Sequence, residues 1–362
     1  MTPRPFIATR GYDLGWFFGG TIASLAALAL IAAGIPIVAV FWVWLLAFDG
    51  PHIAAAFTRT YLDREMWRTR PRLLSGSLLA FAVGPAALLL SLASRSEAPF
   101  LLYLAASAFY GYYHVVRQHY GFLALYKAVN GDRGGYLLDR WCLYIGCWTP
   151  YFAFLLLHPR ARALLHLPAR NLALAESAGV ALLAAAFLAS LGVLARNAVA
   201  RPSPPALYAL LTVLLYGAVY GLVSRLEPVY AASSGPDQDF LLMSVMVTIF
   251  HNVQYLGLVF FHNRNRFGDR DQHGAASWLA ASVPRYLAAC ALFSIVYLAF
   301  ACSTGVFPGC QLLPRARLGA ITMGQIGLCL WWGLAIHHYY LDQKIWRVRT
   351  DPDLRSALGL AG

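Results

Sequence analysis

The chain has 362 residues, of which 59% are apolar and only 12% are charged. A soluble domain carries about 25% charged and about 45–50% apolar residues, so this chain has too little polar surface to fold in water. The composition excludes a soluble enzyme, a disordered chain, a collagen or coiled-coil rod and a nucleic-acid-binding module. We expect an all-α, polytopic integral membrane protein in which residues 1–362 form a single transmembrane domain.

A membrane-spanning helix needs about 20 mostly apolar residues. About ten stretches meet this requirement, and residues that break helices lie at their edges. No gap between the stretches is long enough to hold a soluble domain. In chain order the predicted spans are Leu14–Ala33, Pro36–Phe57, Leu73–Ala93, Phe100–Leu123, Trp141–Leu157, Leu172–Leu194, Ala206–Val223, Phe240–Phe261, Val283–Phe300 and Leu318–Tyr340.

The basic residues indicate the orientation of these helices. The formal net charge is +12, and the Lys and Arg residues lie mostly in the gaps between predicted spans. Of the 28 Lys and Arg residues, 20 fall on one side and 7 on the other, while Arg117 lies inside a span. Because Lys and Arg are enriched in cytoplasmic loops, we predict that both termini are cytoplasmic, in a bacterial inner membrane. The cysteines show no metal-binding spacing and are interpreted as packing residues.

Histidines are concentrated in four of the predicted spans, toward their cytoplasmic ends. Seven of the ten histidines fall within these spans or at their ends. Ionisable residues inside a bilayer are costly and usually functional, and neutral imidazole is the commonest protein metal ligand. We therefore predict a metal site toward the cytoplasmic side of the membrane. Its candidate ligands are His52, His114, His119, His251, His337 and His338.

Helix geometry leaves the number of metal ions open. At 1.5 Å per residue, the candidate ligands fall into two layers, about 10 Å and about 20 Å from the cytoplasmic ends of their helices. One site or two neighbouring metals are both compatible with these depths. His114 and His119 lie about 140° apart around a helix, so they do not easily bind one ion together.

Other polar residues are candidates to support the ligands. Asp49 precedes His52 by three residues and Asp342 follows His338 by four, so each carboxylate shares a helix face with a histidine. Either carboxylate could orient an imidazole or bind the metal itself.

Three further residues complete the predicted site. Asn252 is a candidate hydrogen-bond donor to the site. Tyr255 and Arg117 are candidate catalytic residues, Arg117 either as a partner of Asp49 or as an anion-binding group. His262 and His273 lie in or near a basic loop and are expected at the surface.

The histidine blocks resemble those of bacterial membrane β-carotene-cleaving dioxygenases of the Brp/Blh type. Those enzymes are all-helical and carry four separated histidine blocks thought to hold a non-haem iron. Tyr255 stands where their third block has a second histidine. The similar positions here are Pro51-His52, His114 or His119, His251, and His337 with Asp342. The resemblance implies Fe²⁺, O₂ and an isoprenoid or carotenoid substrate.

We therefore expect a membrane-embedded, histidine-ligated non-haem iron oxygenase. Its partners would be O₂, membrane lipids and an apolar small molecule from the lipid phase, without nucleic acid, and another transition metal would also fit the ligands. A di-iron desaturase or hydroxylase is the alternative enzyme, although its HxxxH and HxxHH pairs are missing here. A transporter or a haem- or quinone-binding subunit is the non-catalytic alternative.

Overall fold

The structure is a computed structural model, and its secondary structure is almost entirely helical. It describes residues 4–132, 134–159, 162, 167, 173–234, 239–267, 274–306, 310, 312–313 and 315–360. Among these residues the one sheet is a short antiparallel hairpin, in which Arg317 pairs with Thr322 and Leu318 with Ile321. The prediction of an all-α protein is confirmed.

Sixteen α-helices are present in the described part of the chain. Two π-helical turns, Asp13–Phe18 and Leu45–Asp49, connect α1 to α2 and α3 to α4. The helices are α1 (Arg10–Tyr12), α2 (Gly19–Ala32), α3 (Ile37–Trp44), α4 (Gly50–Arg59), α5 (Arg64–Thr69), α6 (Pro71–Ser77), α7 (Ala80–Ser94), α8 (Ala98–Val129), α9 (Tyr136–Leu157), α10 (Leu174–Ala200), α11 (Pro204–Ser234), α12 (Asp239–Phe267), α13 (Ala275–Ala280), α14 (Val283–Ser303), α15 (Met323–Ile345) and α16 (Pro352–Ala357).

Seven helical segments in the described residues are long and apolar enough to cross a membrane. Each overlaps a predicted span, so the prediction of a helical membrane protein is confirmed. The seven are Arg10–Ala32, Ile37–Arg59, Pro71–Ser94, Leu174–Ala200, Pro204–Val223, Val245–Phe267 and Val283–Ser303.

The other three predicted spans overlap α8, α9 and α15. These helices are long enough to cross a bilayer, but their histidine, tyrosine, tryptophan and charged side chains lower their mean hydropathy. That they cross the membrane stays a prediction, and so do the cytoplasmic positions of the termini.

The chain divides into two compact units, each built from two separate stretches. The first unit contains Met1–Phe41 and Val116–His251, and the second contains Trp42–Val115 and Asn252–Gly362. In the first unit α9, α10 and α11 pack against one another, and α2 packs against α11. In the second unit α14 packs against α4 and α15, while α15 also packs against α7.

Two of the cysteines have a role that the sequence did not indicate. Cys302, in the last turn of α14, forms a disulfide with Cys310, with a Cα–Cα distance of 4.8 Å. Cysteines eight residues apart carry no recognisable motif, and the turn after α14 brings them together. The four others are buried and not disulfide-bonded, as the expected packing role requires: Cys142, Cys147, Cys290 and Cys329.

Gly327 sets the close approach of α15 to the end of α14. A Cβ atom on Gly327 would lie 2.5 Å from Oγ of Ser303 and 2.7 Å from its backbone oxygen. Because backbone cannot move aside as a flexible side chain can, we expect Gly327→Ala to lower the free energy of unfolding by about 1–3 kcal/mol. Thermal unfolding in detergent measures the change.

Gly192→Ala is the matched control for this substitution. Gly192 lies inside α10 with no atom within 4 Å of an added Cβ. Alanine favours the helix there, so stability should rise by roughly 0.4–1 kcal/mol. Equal stability of the two variants would contradict the close contact at Gly327.

Candidate metal centre

Three histidines of the second unit converge at one point in its interior. His52 lies on α4, His114 on α8 and His338 on α15, and all three are buried. One ring nitrogen from each lies within 4.8 Å of the other two. The Nε2 atoms of His52 and His338 are 2.7 Å apart. We call these residues the histidine triad.

The backbone around His52 explains how this side chain reaches the triad. A π-helical turn ends at Asp49, and α4 begins with Gly50 and Pro51. Proline has no N–H to continue the hydrogen bonds of the preceding helix, so its place directly after the π-helical turn fits an interruption of those bonds. A Cβ atom on Gly50 would lie 2.5 Å from Oγ of Ser294, so glycine permits the close packing of α14. π-Helical turns are frequent at functional sites.

A hydrogen-bonded carboxylate and phenol lie beside the triad. Oδ2 of Asp342 lies 3.5 Å from Nε2 of His338 and 3.8 Å from Nε2 of His114. The hydroxyl of Tyr255 donates to Oδ1 of Asp342 at 2.5 Å. The Tyr255 ring also lies against His52, with a distance of 4.5 Å between ring centres. Asp342 and Tyr255 therefore lie beside the triad, and the supporting role of Asp342 and the catalytic role of Tyr255 stay predictions.

Asp49 belongs to a separate hydrogen-bond network in the same unit. Nδ2 of Asn252 donates to Oδ1 of Asp49 at 3.4 Å. The hydroxyl of Tyr297 donates to Oδ2 of the same carboxylate. Asn252 and Tyr297 therefore fix the orientation of Asp49, and the hydrogen bonds of this carboxylate do not go to His52. The sequence had not singled out Tyr297, because nothing distinguishes it from the other tyrosines in apolar runs.

His337 faces a different environment from its neighbour His338. Its Nε2 atom is 2.8 Å from the hydroxyl of Tyr61. The same hydroxyl lies within hydrogen-bond distance of the backbone oxygen of Leu74 and of Oγ of Ser77. Burial raises the pKa of the Tyr61 phenol, although its hydrogen bond with Ser77 lowers it. Tyr61 therefore holds its proton at neutral pH. The triad contains only one residue of the His337-His338 pair.

Three predicted site residues lie in the first unit. Nδ1 of His119 is 3.2 Å from the hydroxyl of Tyr208, and its ring stacks on Phe250 at 4.7 Å. The backbone oxygen of His251 accepts a hydrogen bond from Gln118 at 2.8 Å. Arg117 is exposed, with its guanidinium 5.5 Å from the ring centre of Tyr120. Metal binding by His119 or His251 and a catalytic role for Arg117 stay predictions.

The expected surface position of His262 is wrong. Its side chain is 1% exposed, because α12 continues to Phe267 and carries this residue into the interior of the second unit. His262 therefore belongs to the helix and not to the basic loop that the sequence predicts after it. His273 lies outside the described residues.

The histidine triad could bind a metal ion. Nitrogen ligands lie about 2.0–2.1 Å from such an ion, which places two of them about 3.0–3.4 Å apart. Opening the His52–His338 pair by about 0.5 Å would therefore turn a hydrogen-bonded pair into two ligands. Neutral imidazoles suit zinc, copper, iron and nickel, and the nearby carboxylate of Asp342 adds an oxygen donor.

Comparisons with family models, with curated proteins and with solved structures found no match to this chain.

The adjacent residues His337 and His338 allow a sharp test of the triad. Added Co²⁺ or Fe²⁺ should stabilise the metal-free protein by about 2.7 kcal/mol at 100 times Kd, because the ion binds only the folded state. His338→Ala should abolish this stabilisation, whereas His337→Ala should retain it. Thermal unfolding with and without metal measures both. Loss of stabilisation in the His337 variant alone would contradict the triad as the binding site.

Proposed function

We propose that the protein is a membrane-embedded, mononuclear non-haem iron oxygenase acting on an apolar molecule from the lipid phase. The convergence of three buried imidazoles from three helices carries the proposal. Imidazole together with carboxylate is the donor set of non-haem Fe²⁺ oxygenases. Iron bound by His52, His114 and His338 would supply the chemistry of O₂ activation.

The geometry of the triad favours one ion over a haem. Two axial imidazoles on a haem place their nitrogens about 4 Å apart, twice a metal–nitrogen bond, with the porphyrin between them. The Nε2 atoms of His52 and His338 are only 2.7 Å apart and leave no space for a macrocycle. The di-iron sites of ferritin-like bundles use four carboxylates and two histidines. Here three imidazoles meet, with the carboxylate of Asp342 beside them.

Asp342 and Tyr255 would hold the ligands in place and provide a proton acceptor and donor. The phenol donates to one carboxylate oxygen, so the other oxygen is left facing His114 and His338. The Tyr255 ring restricts the imidazole of His52. Such outer hydrogen bonds fix the orientation of a ligand and raise its basicity.

Membrane embedding supports the choice of an apolar substrate. The long apolar helices expose many leucine, isoleucine and valine side chains. A lipid-soluble substrate dissolves in the surrounding hydrocarbon and can enter the protein without crossing water. An isoprenoid or carotenoid is the specific substrate that we propose, in agreement with the resemblance of the histidine blocks.

We further propose that the site lies toward the cytoplasmic side of a bacterial inner membrane. The basic residues favour this orientation. The Cys302–Cys310 disulfide agrees with it, because Cys302 lies at the opposite end of α14 from Arg285. Disulfides persist in the periplasm and are rare in the reducing cytosol.

Metal analysis and an optical spectrum of the same purified sample test this proposal. We expect about one iron per chain, no Soret absorption, and O₂ uptake that depends on added β-carotene. Haem absorption would contradict the proposal. Protein that is folded, binds no iron on reconstitution and consumes no O₂ would favour a transporter.

Tyr255→Phe tests the role of the phenol. The variant keeps the ring against His52 and removes the hydrogen bond to Asp342. We expect iron content to be retained and turnover to fall about 10–100-fold, as is typical for outer-shell substitutions. Tyr340→Phe, on the exposed side of α15, is the control and should have native turnover. Native turnover in both variants would contradict the assigned role of Tyr255.

A further inference from the structure

A second polar site lies in the same unit, in a cavity of about 130 Å³ at the end of α4. Its wall contains three arginines, one histidine and four carboxylates: Arg59, Arg70, Arg266, His262, Asp63, Glu65, Asp351 and Asp353. None of the triad histidines lines it. One water molecule occupies about 30 Å³ in the liquid, so the cavity has room for a tetrahedral anion.

Arg59 is a buried cation that forms no ion pair among the described residues of this cavity. Its side chain is 6% exposed, its Nη2 donates to the backbone oxygen of Ile345 at 2.6 Å, and its guanidinium stacks on Trp346 at 3.7 Å. Its Nη1 is buried and has no hydrogen-bond partner among the described residues. No described carboxylate forms an ion pair with Arg59, and the carboxylates of Asp342 and Asp351 act on its charge only from a longer distance. A buried charge without a close partner is destabilising.

The other two arginines in the wall already have carboxylate partners. Arg266 pairs with Glu65 at 3.2 Å, and Arg70 pairs with Asp351 at 2.8 Å. Burial would raise the pKa of Asp351, but the backbone N–H of Leu354 and the guanidinium of Arg70 lower it below its usual value. Asp351 is therefore ionised at neutral pH and matches the charge of Arg70. Arg59 alone of the three arginines has no described carboxylate within ion-pair distance.

His262 presents a hydrogen-bond acceptor to the same cavity. Thr58 donates its hydroxyl to the Ala55 oxygen at 2.7 Å, so it can only accept from Nδ2 of Asn263 at 2.9 Å. This fixes Oδ1 of Asn263 toward Nδ1 of His262, which must carry the proton of the neutral imidazole. Nε2 of His262 is left as a buried acceptor without a partner in the described structure.

We propose that this cavity binds a phosphate group that retains one hydroxyl, either hydrogen phosphate or a phosphate monoester. The ionised oxygens would accept hydrogen bonds from Nη1 of Arg59, and the remaining hydroxyl would donate to Nε2 of His262. Sulfate and phosphodiesters carry no such hydroxyl and leave the His262 acceptor unsatisfied. The site therefore selects phosphate over sulfate.

Two sources could supply this group. Exposed Trp67 and Leu62 lie on the chain near the cavity, and tryptophan is enriched at the headgroup level of membranes. A phosphatidic acid headgroup, which is a phosphate monoester, could therefore enter from the membrane. Free phosphate could enter from solvent.

The test uses the full chain in phosphate-free detergent, with thermal unfolding as the readout. Inorganic phosphate at about 100 times Kd should raise Tm by about 5 °C, and sulfate should not. Arg59→Met should show no phosphate response and should have an equal or higher Tm without phosphate, because it removes an unmatched buried charge. Arg68→Met, at an exposed arginine outside the cavity, is the control and should respond as the native chain does.

A second variant keeps the test decisive if Arg59→Met does not fold. His262→Gln should lose the preference for phosphate over sulfate.

Nanodiscs of defined lipid separate the two sources of the phosphate group. If the protein has a higher Tm in discs with phosphatidic acid than in phosphatidylcholine discs, and added phosphate raises Tm no further, the lipid is the ligand. A phosphate response in phosphatidylcholine discs identifies the free ion. Equal shifts with phosphate and sulfate in the native chain, or no shift with either phosphate source, would overturn the proposal.

Discussion

The interior of the second unit depends on one constraint, which is that a buried polar group must find its partner inside the protein. An unpaired polar atom in a low-dielectric interior is costly, and an unpaired charge is more costly still. The Nε2 atoms of His52 and His338 meet each other, and Asp342 is shared between Tyr255 and the edge of the triad. Removing one member would leave the others unmatched.

Different polar networks in this unit meet the constraint in different ways. Asp49 is matched by Asn252 and Tyr297, and both carboxylate oxygens are used. The charge of Asp49 is thus satisfied by two protein donors. The triad offers several nitrogen donors to one point, which is an arrangement suited to a cation. The cavity at Arg59 has the opposite character, because an unmatched cation lies beside a neutral acceptor.

Trp346 is close to both of these sites. Its ring stacks on the guanidinium of Arg59, and its centre lies 6.1 Å from that of Tyr255. The ring of Trp346 therefore lies near both the buried guanidinium of Arg59 and the phenol beside the triad.

The helical segments could be predicted from the sequence, because the requirement behind them is local. Each span must satisfy its own backbone hydrogen bonds and present about 20 apolar residues to lipid, so a run such as Val283–Phe300 is recognisable without knowing its neighbours. The sequence also indicated that histidines collect in a few helices. The predicted surface position of His262 was wrong because α12 continues to Phe267, beyond the apolar run that set the predicted end of the span.

Which histidines meet was decided only by the tertiary structure. His337 and His338 are about 100° apart around one helix, and α15 has no clear division into an apolar and a polar face, so its sequence does not indicate which of them faces inward. The same ambiguity applies to His114 and His119, which are five residues apart on α8. Rotation about the helix axis is fixed by close contacts such as Gly327 against Ser303 and Gly50 against Ser294. The sequence by itself determined that the protein is a helical membrane protein with buried imidazoles, whereas packing between distant segments determined which imidazoles share a site.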